Sequence, residues 1–277
     1  ALEEHVIGID DTIECTGRYE EIDTPIKCWI YPGRHGPLNM VGGLLNSCNF
    51  FFADLGHRLS MDAEGNYVPS LGLDKLHKYA AMFGLDHKSG VEIDELEPQI
   101  SDIDPERSAM GQGNHAYTNV QLSRYVAAIA SRGNVFELSL LDKITDSEGN
   151  LIKDYTPEIS SHIDAADSTW DTVQQGMREV IASGTAKKLF ADLEVPIAGK
   201  TGTAQEAKNK PNHAFFISYA PYNNPEICVT VNIPYGYSAS NAANIAKSVY
   251  QYYYGEIDLE SILNAGARDA ANVTIRD

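Results

Sequence analysis

Between His35 and Leu59 the apolar residues Leu38, Val41, Leu45, Cys48, Phe52, Leu55 and Leu59 recur at alternating spacings of three and four. That period lays one buried stripe along a helix. Asn46, Ser47 and Asn49 interrupt it, so the stretch predicts two helices with a break between them. Polar side chains at such a break are either caps or functional groups. The run from Ser70 predicts a helix ending at Gly84. From Thr118, with Gln121 completing a capping box and Gly133 in the C′ position, a further helix is expected. Trp170, Val173, Met177 and Val180 share one face of another, over residues 168–184. Residues 213–236 predict two strands around the turn Pro221-Tyr222-Asn223-Asn224-Pro225. A last helix begins near Ser240, its expected cap. At the chain's start, helix formers run from Ala1 into Gly8, a candidate C-cap, with no N-cap before them. They predict the closing turns of a helix that began earlier. Helices gather in the first two thirds and adjacent strands come late. The fold class expected is therefore α+β, an antiparallel sheet flanked by helices.

Composition narrows the classes. The 277 residues are 43% hydrophobic and 22% charged, ordinary for a globular chain. The formal net charge of −18 makes a phosphate backbone or anionic lipid a poor partner, so nucleic-acid binding is not expected. No apolar run is long enough to span a bilayer, and acids stand where a signal peptide would be basic. Four cysteines are too few for a disulfide scaffold. Cys48 and Cys228 sit in apolar contexts and read as core. Cys15 and Cys28 flank a stretch able to form a hairpin; they either approach each other or remain two free thiols. No pair has zinc-finger spacing, so neither a metal nor a cofactor is expected.

Two short motifs carry candidate chemistry. In "VPIAGKTGTAQ", residues 195–205, an apolar run meets Lys200-Thr201-Gly202-Thr203. On a strand edge beside a cleft, lysine supplies positive potential and threonine hydroxyls hold a carboxylate. Gly202 lets a substrate backbone come close. A phosphate loop is excluded, because its first glycine would fall at Glu194. The second motif is Ser47-Cys48-Asn49, a hydroxyl beside an amide. In this order the two match the later parts of the serine acyl-transferase set Ser-x-x-Lys, Ser-x-Asn, Lys-Thr-Gly.

The chain resembles the transpeptidase domain of class B penicillin-binding proteins, closest to the elongation type, penicillin-binding protein 2-like. Segments 35–56, 111–133, 176–190, 195–205 and 213–227 all look like family segments in family order. The likeness runs over residues 1–255, with 256–277 as a C-terminal tail expected to be a peripheral helix or disordered. The resemblance implies the penicillin-binding-protein/serine β-lactamase-like fold. It also implies peptidoglycan cross-linking through a serine acyl-enzyme. Ser47 would relay a proton, Asn49 would hold the substrate amide, and Lys200 would set the local potential. Thr201, Gly202 and Thr203 would line the substrate-binding strand. Implied partners are stem peptides ending in D-Ala-D-Ala, β-lactams and a membrane glycan polymerase. The implied location is the extracytoplasmic face of the bacterial membrane, with an N-terminal anchor. One departure matters: no serine is followed by lysine three residues later, and Thr24-Pro25-Ile26-Lys27 has that spacing only with threonine. The nucleophile is expected upstream of Ala1, and the fragment is expected to be inactive alone. Alternatives are a non-catalytic β-lactam sensor or scaffold, a serine β-lactamase, or a D,D-carboxypeptidase. A lactamase would need a water-activating base, and Glu260, in Glu260-Ser261-Ile262-Leu263-Asn264, is its sole sequence candidate.

Overall fold

The computed structural model describes residues 1–206 and 209–264. Four short strands come first: β1 (Ile13–Cys15), β2 (Arg18–Tyr19), β3 (Ile26–Lys27) and β4 (Gly36–Leu38). β1 pairs with β4, and β2 with β3 as the hairpin anticipated between Cys15 and Cys28. The broken stripe then forms two helices, α1 (Met40–Leu45) and α2 (Asn49–Leu59), parted at Ser47 as the polar interruption predicts. After them come α3 (Pro69–Met82), α4 (Pro105–Ala109) and α5 (Asn119–Ala130). Four strands, β5 (Asn134–Phe136), β6 (Lys143–Thr145), β7 (Leu151–Asp154) and β8 (Ile159–His162), make two antiparallel ribbons, β5 with β8 and β6 with β7. The chain closes with α6 (Asp167–Ala182), β9 (Ala198–Ala204), β10 (His213–Ala220), β11 (Ile227–Ile233), α7 (Ala239–Tyr253) and α8 (Leu259–Asn264). Residues 265–277 of the tail lie outside the described residues. Among the described residues no helix is long and apolar enough to cross a membrane.

The last three strands are the centre of the molecule. They form an antiparallel sheet in the order β11-β10-β9, in which β9 is an edge strand among the described residues. Side chains alternate across a strand, and β10 follows that rule. Ala214, Phe216 and Ala220 pack with Ala242, Ala243, Ala246 and Tyr250 of α7. Ile217 and Tyr219 face the other way, with Val126 and Ile129 of α5 and Met177 of α6. The alanine stripe of α7 lets its backbone lie close to the sheet. Tyr250, fully buried, satisfies its hydroxyl by donating to Ser218 Oγ at 2.8 Å. On the α5–α6 side, Gly176 gives α1 its seat: a Cβ there would meet Leu44 Cδ1 at 2.4 Å. Helix α1, and with it the break at Ser47, is thereby held against α6, which itself packs on β9.

Three caps differ from those expected. Val6 N–H donates to Ala1 O, His5 N–H donates to Leu2 O, and His5 has φ 53°. These are the paired hydrogen bonds of a Schellman helix end, so the capping residue is His5 and not Gly8. At the end of α5 the C′ residue is Arg132, at φ 57°, and Gly133 is the residue after it. The capping box itself, Thr118 with Gln121, is present in both directions. Helix α7 is capped by Ser238, whose side chain accepts from Ser240 N–H, so Ser240 lies inside the first turn.

Truncating the sheet core should cost far more than removing the polar tie between α7 and β10. Phe216→Ala should lower unfolding free energy by about 3–5 kcal/mol. Tyr250→Phe, which deletes only the bond to Ser218, should cost about 1 kcal/mol. Urea titrations followed by circular dichroism measure both.

Candidate active site

The break between α1 and α2 is a pinned turn. Ser47 N–H donates to Leu44 O at 3.1 Å and Cys48 N–H to Gly43 O at 3.0 Å. This pair closes α1 as a Schellman motif, with Ser47 at φ 49° in the position that usually takes glycine. A side chain in that conformation costs roughly 1–2 kcal/mol, and it persists where surrounding contacts over-determine it. Here Asn46 Nδ2 donates to Gly42 O at 2.9 Å, and Trp29 Nε1 donates to Asn46 O at 2.8 Å. Cys48 caps α2 by accepting from Phe51 N–H at 3.4 Å. Strain kept in place this way marks a functional turn more strongly than a bare Ser-x-Asn in sequence does.

Lys200 reaches this turn from the sheet. It projects from β9, paired with Ile217 of β10, and its ammonium donates to Ser47 Oγ at 2.8 Å and to the Thr201 carbonyl at 2.7 Å. Two motifs that stand 153 residues apart in the chain thus share one hydrogen bond. Burial alone pushes the ammonium of Lys200 down to about 8, and no neighbouring charge contributes. At neutral pH the group is mostly a half-buried cation, and among the described residues no carboxylate pairs with it. Such a group gains by taking up an anionic ligand.

The other predicted residues fall around this contact. Thr201, Gly202 and Thr203 continue along β9, half-buried, opposite Phe216, Phe215 and Ala214. Thr201 Oγ1 lies 3.4 Å from Thr185 Oγ1, a residue that sequence reasoning did not single out. Its only signal was a hydroxyl just past a helix-ending glycine, Gly184. Asn49 begins α2 and donates from Nδ2 to Lys27 O at 3.3 Å, tying the far side of the turn to β3. Glu260 is an exposed side chain on α8. A cavity of about 290 Å³ lies near Ala1, Leu2, Trp170 and Val173, but none of the site residues lines it.

Among the described residues one cluster could hold a metal ion: Cys15, Cys28, His35 and Cys48. Cys48 is fully buried and packs in the apolar core with Ile13, Phe51 and Leu55, as its sequence context predicts. Cys15 and Cys28 remain free thiols, and they converge together with two further donors. The Cys48 thiol hydrogen-bonds to the Cys28 sulfur and holds the Cys28 thiol well below the ordinary range. The sequence concealed the set because its members come from four separate short segments.

Over residues 1–251 the chain matches the family described as penicillin binding protein transpeptidase domain. It is 30% identical over 225 residues to the peptidoglycan D,D-transpeptidase MrdA of Haemophilus influenzae, covering 68% of this chain and 34% of that protein. The crystal structure of Pseudomonas aeruginosa PBP2 superimposes with a TM-score of 0.77 at 27% identity, covering 94% of this chain and 58% of that one. A structure titled for a peptidoglycan synthase complex that coordinates polymerization and crosslinking aligns with a TM-score of 0.76. At 23% identity, over 97% of this chain and 45% of that one, it bears on the fold alone. The chain belongs to the penicillin-binding protein transpeptidase domain family. Its relatives and structural neighbours include proteins named MrdA and PBP2, and its α+β architecture is theirs. It spans about a third of the length of the curated relatives it matches.

The lowered Lys200 value has a definite consequence. Its ammonium is charged below pH about 8, so affinity for a small carboxylate ligand should be greatest below that pH and fall as pH rises through it. The stability effect has its own sign. Between about 8 and the ordinary lysine value the unfolded chain holds a proton that the folded chain has released, so this residue's contribution to stability grows with pH across that window. NMR titration of ¹³C-dimethylated lysines should show one resonance titrating near 8, absent from Lys200→Met.

Proposed function

We propose that this domain supplies the proton-relay and substrate-binding walls of a peptidoglycan D,D-transpeptidase, acting through a serine acyl-enzyme. The observation that carries the reading is the Lys200–Ser47 hydrogen bond, which joins the two family motifs at 2.8 Å. In the reaction a serine attacks the penultimate D-Ala carbonyl of a donor stem peptide and terminal D-Ala leaves. An amine of a second stem then resolves the ester. Ser47 accepts a hydrogen bond from Lys200, which leaves its own proton free to pass to the departing amine. The Lys200 charge favours Ser47 as a proton donor and attracts the substrate's terminal carboxylate.

The hydroxyls of Thr201 and Thr203 bind that carboxylate. The outer edge of β9 accepts the stem peptide as an added strand, and Gly202 keeps the approach clear. One oxyanion-hole N–H comes from Thr203; such a donor is worth about 3 kcal/mol of transition-state stabilisation. Asn49 orients the substrate amide. β-Lactams, as mimics of D-Ala-D-Ala, occupy the same groove.

No Ser-x-x-Lys occurs in the sequence, so the nucleophile and its base belong to polypeptide outside these 277 residues. With them go an extracytoplasmic location, a membrane anchor and a glycan-polymerase partner. The acidic surface, net −18, does not oppose this chemistry, because solvent screens surface charge within about 8–10 Å while Lys200 acts at contact.

Intact-mass spectrometry after penicillin treatment tests the assignment. Residues 1–277 should carry no covalent adduct, and a longer chain that includes a Ser-x-x-Lys helix should carry one. In that longer chain Ser47→Ala should slow acylation roughly 10²–10⁴-fold, the range for loss of a positioned proton-transfer group. A stable adduct on the 277 residues would place the nucleophile within them and overturn the reading.

A further inference from the structure

The turn that follows α6 touches the site from outside both motifs. Ser183 and Gly184 each donate N–H to Glu179 O at 2.9 Å, and Ala186 N–H donates to Val180 O at 3.2 Å. Packing fixes where this turn lies. A Cβ on Gly184 would meet Leu45 Cδ1 at 2.7 Å, and Leu45 is the last residue of α1, just ahead of Ser47. Ala186 and Phe190 are buried with Phe216 in the sheet core, and the Phe190 ring stacks on that of Phe216 with centroids 5.4 Å apart. Phe216 is the β10 residue paired with Thr201. The turn is therefore held by the helix that leads into Ser47 and by the strand that lies beside Thr201.

Thr185 sits in this turn, exposed, with its Oγ1 3.4 Å from Thr201 Oγ1. Hydroxyl–hydroxyl hydrogen bonds run at about 2.7–2.8 Å. Ser101 and Ser108, two hydroxyls that do bond each other, stand at 2.6 Å. At 3.4 Å the threonines hardly satisfy each other, and among the described residues neither hydroxyl has another partner. Each keeps its proton for a third group. Two O–H donors converging from separate elements suit the two oxygens of one carboxylate, which only accept. The matching charge is close by, since Lys200 donates to the Thr201 carbonyl at 2.7 Å.

We propose that Thr185 binds the substrate's terminal carboxylate together with Thr201, and thereby makes the site select ligands that end in a free acid. The proposal rests on the reading of β9 as the substrate strand. It adds what one strand cannot supply, a hydroxyl that meets the carboxylate from the α6 side. A terminal amide offers one acceptor oxygen where the acid offers two, and it carries no charge to meet Lys200. Loss of the Thr185 hydroxyl therefore falls on acids and spares amides.

The test is an NMR titration of the whole 277-residue chain with N-acetyl-D-Ala-D-Ala and with its C-terminal amide. The unaltered chain should bind the acid more tightly than the amide. Thr185→Val and Thr185→Ala should each weaken acid binding about tenfold, the loss expected of one hydrogen bond to a charged group, and leave amide binding little changed. Thr185→Ser should restore the acid preference. Urea titration of each variant reads stability alongside. Undiminished acid binding in the valine and alanine variants, an equal loss for acid and amide, or a serine variant as weak as the valine one would overturn the proposal. Lower stability with ligand choice intact would make Thr185 a mere tie between α6 and β9 and overturn it too.

Lys200→Met separates the proposal from the reading beneath it. If that variant loses the acid preference while the Thr185 variants keep it, the substrate strand stands and the role of Thr185 fails. If Lys200→Met keeps the preference, or the unaltered chain shows none, β9 does not hold the carboxylate and both fall.

Discussion

One hydrogen bond organises this domain, from the ammonium of Lys200 on the edge of a sheet to the hydroxyl of Ser47 between two helices. It requires a half-buried cation and a left-handed serine at the same place. Neither is favourable by itself. Burial lowers the lysine toward 8, and the serine occupies a conformation better suited to glycine. Local frustration of this kind survives only where the rest of the structure leaves no alternative.

The supporting layers supply that restraint. The sheet is clamped between the alanine face of α7 and the apolar faces of α5 and α6, so β9 cannot drift. Helix α1 sits on α6 through the contact of Leu44 with Gly176, which sets the distance between the turn and the strand. The turn itself is anchored by Trp29 from one side and by Cys48 from the other. Electrostatics at long range matter little by comparison. The protein carries 39 acidic and 21 basic residues, yet the shift at Lys200 comes from lost hydration and not from nearby charge.

The closed end of α1 and the β9 edge therefore meet at the same few atoms from opposite directions. One fixes the serine's backbone through the paired hydrogen bonds that close α1, and the other presents the cation. Thr185, reaching Thr201 from beyond α6, extends the same wall.

Local patterns in the chain were enough to specify its longer helices and the β10–β11 pair, but not α4 or the short ribbons of β1 with β4, β5 with β8 and β6 with β7. The three-four stripe from Leu38 to Leu59 and its polar interruption gave two helices and the break between them. The Thr118–Gln121 capping box and the turn from Pro221 to Pro225 between β10 and β11 were equally plain, because each depends on neighbours only a few residues away. Caps slipped by one to three residues, His5 for Gly8, Arg132 for Gly133 and Ser238 for Ser240. A left-handed C′ residue or a capping hydroxyl can be supplied by several adjacent positions, and packing selects among them. Of the meetings between distant segments only that of Lys200 with Ser47 was legible, and that through family likeness. The Lys200–Ser47 contact, the approach of Thr185 to Thr201 and the gathering of Cys15, Cys28, His35 and Cys48 join short stretches with no shared period. Which of them touch is decided when helices and sheet pack, since only the burial of a common core brings those stretches within a few ångströms.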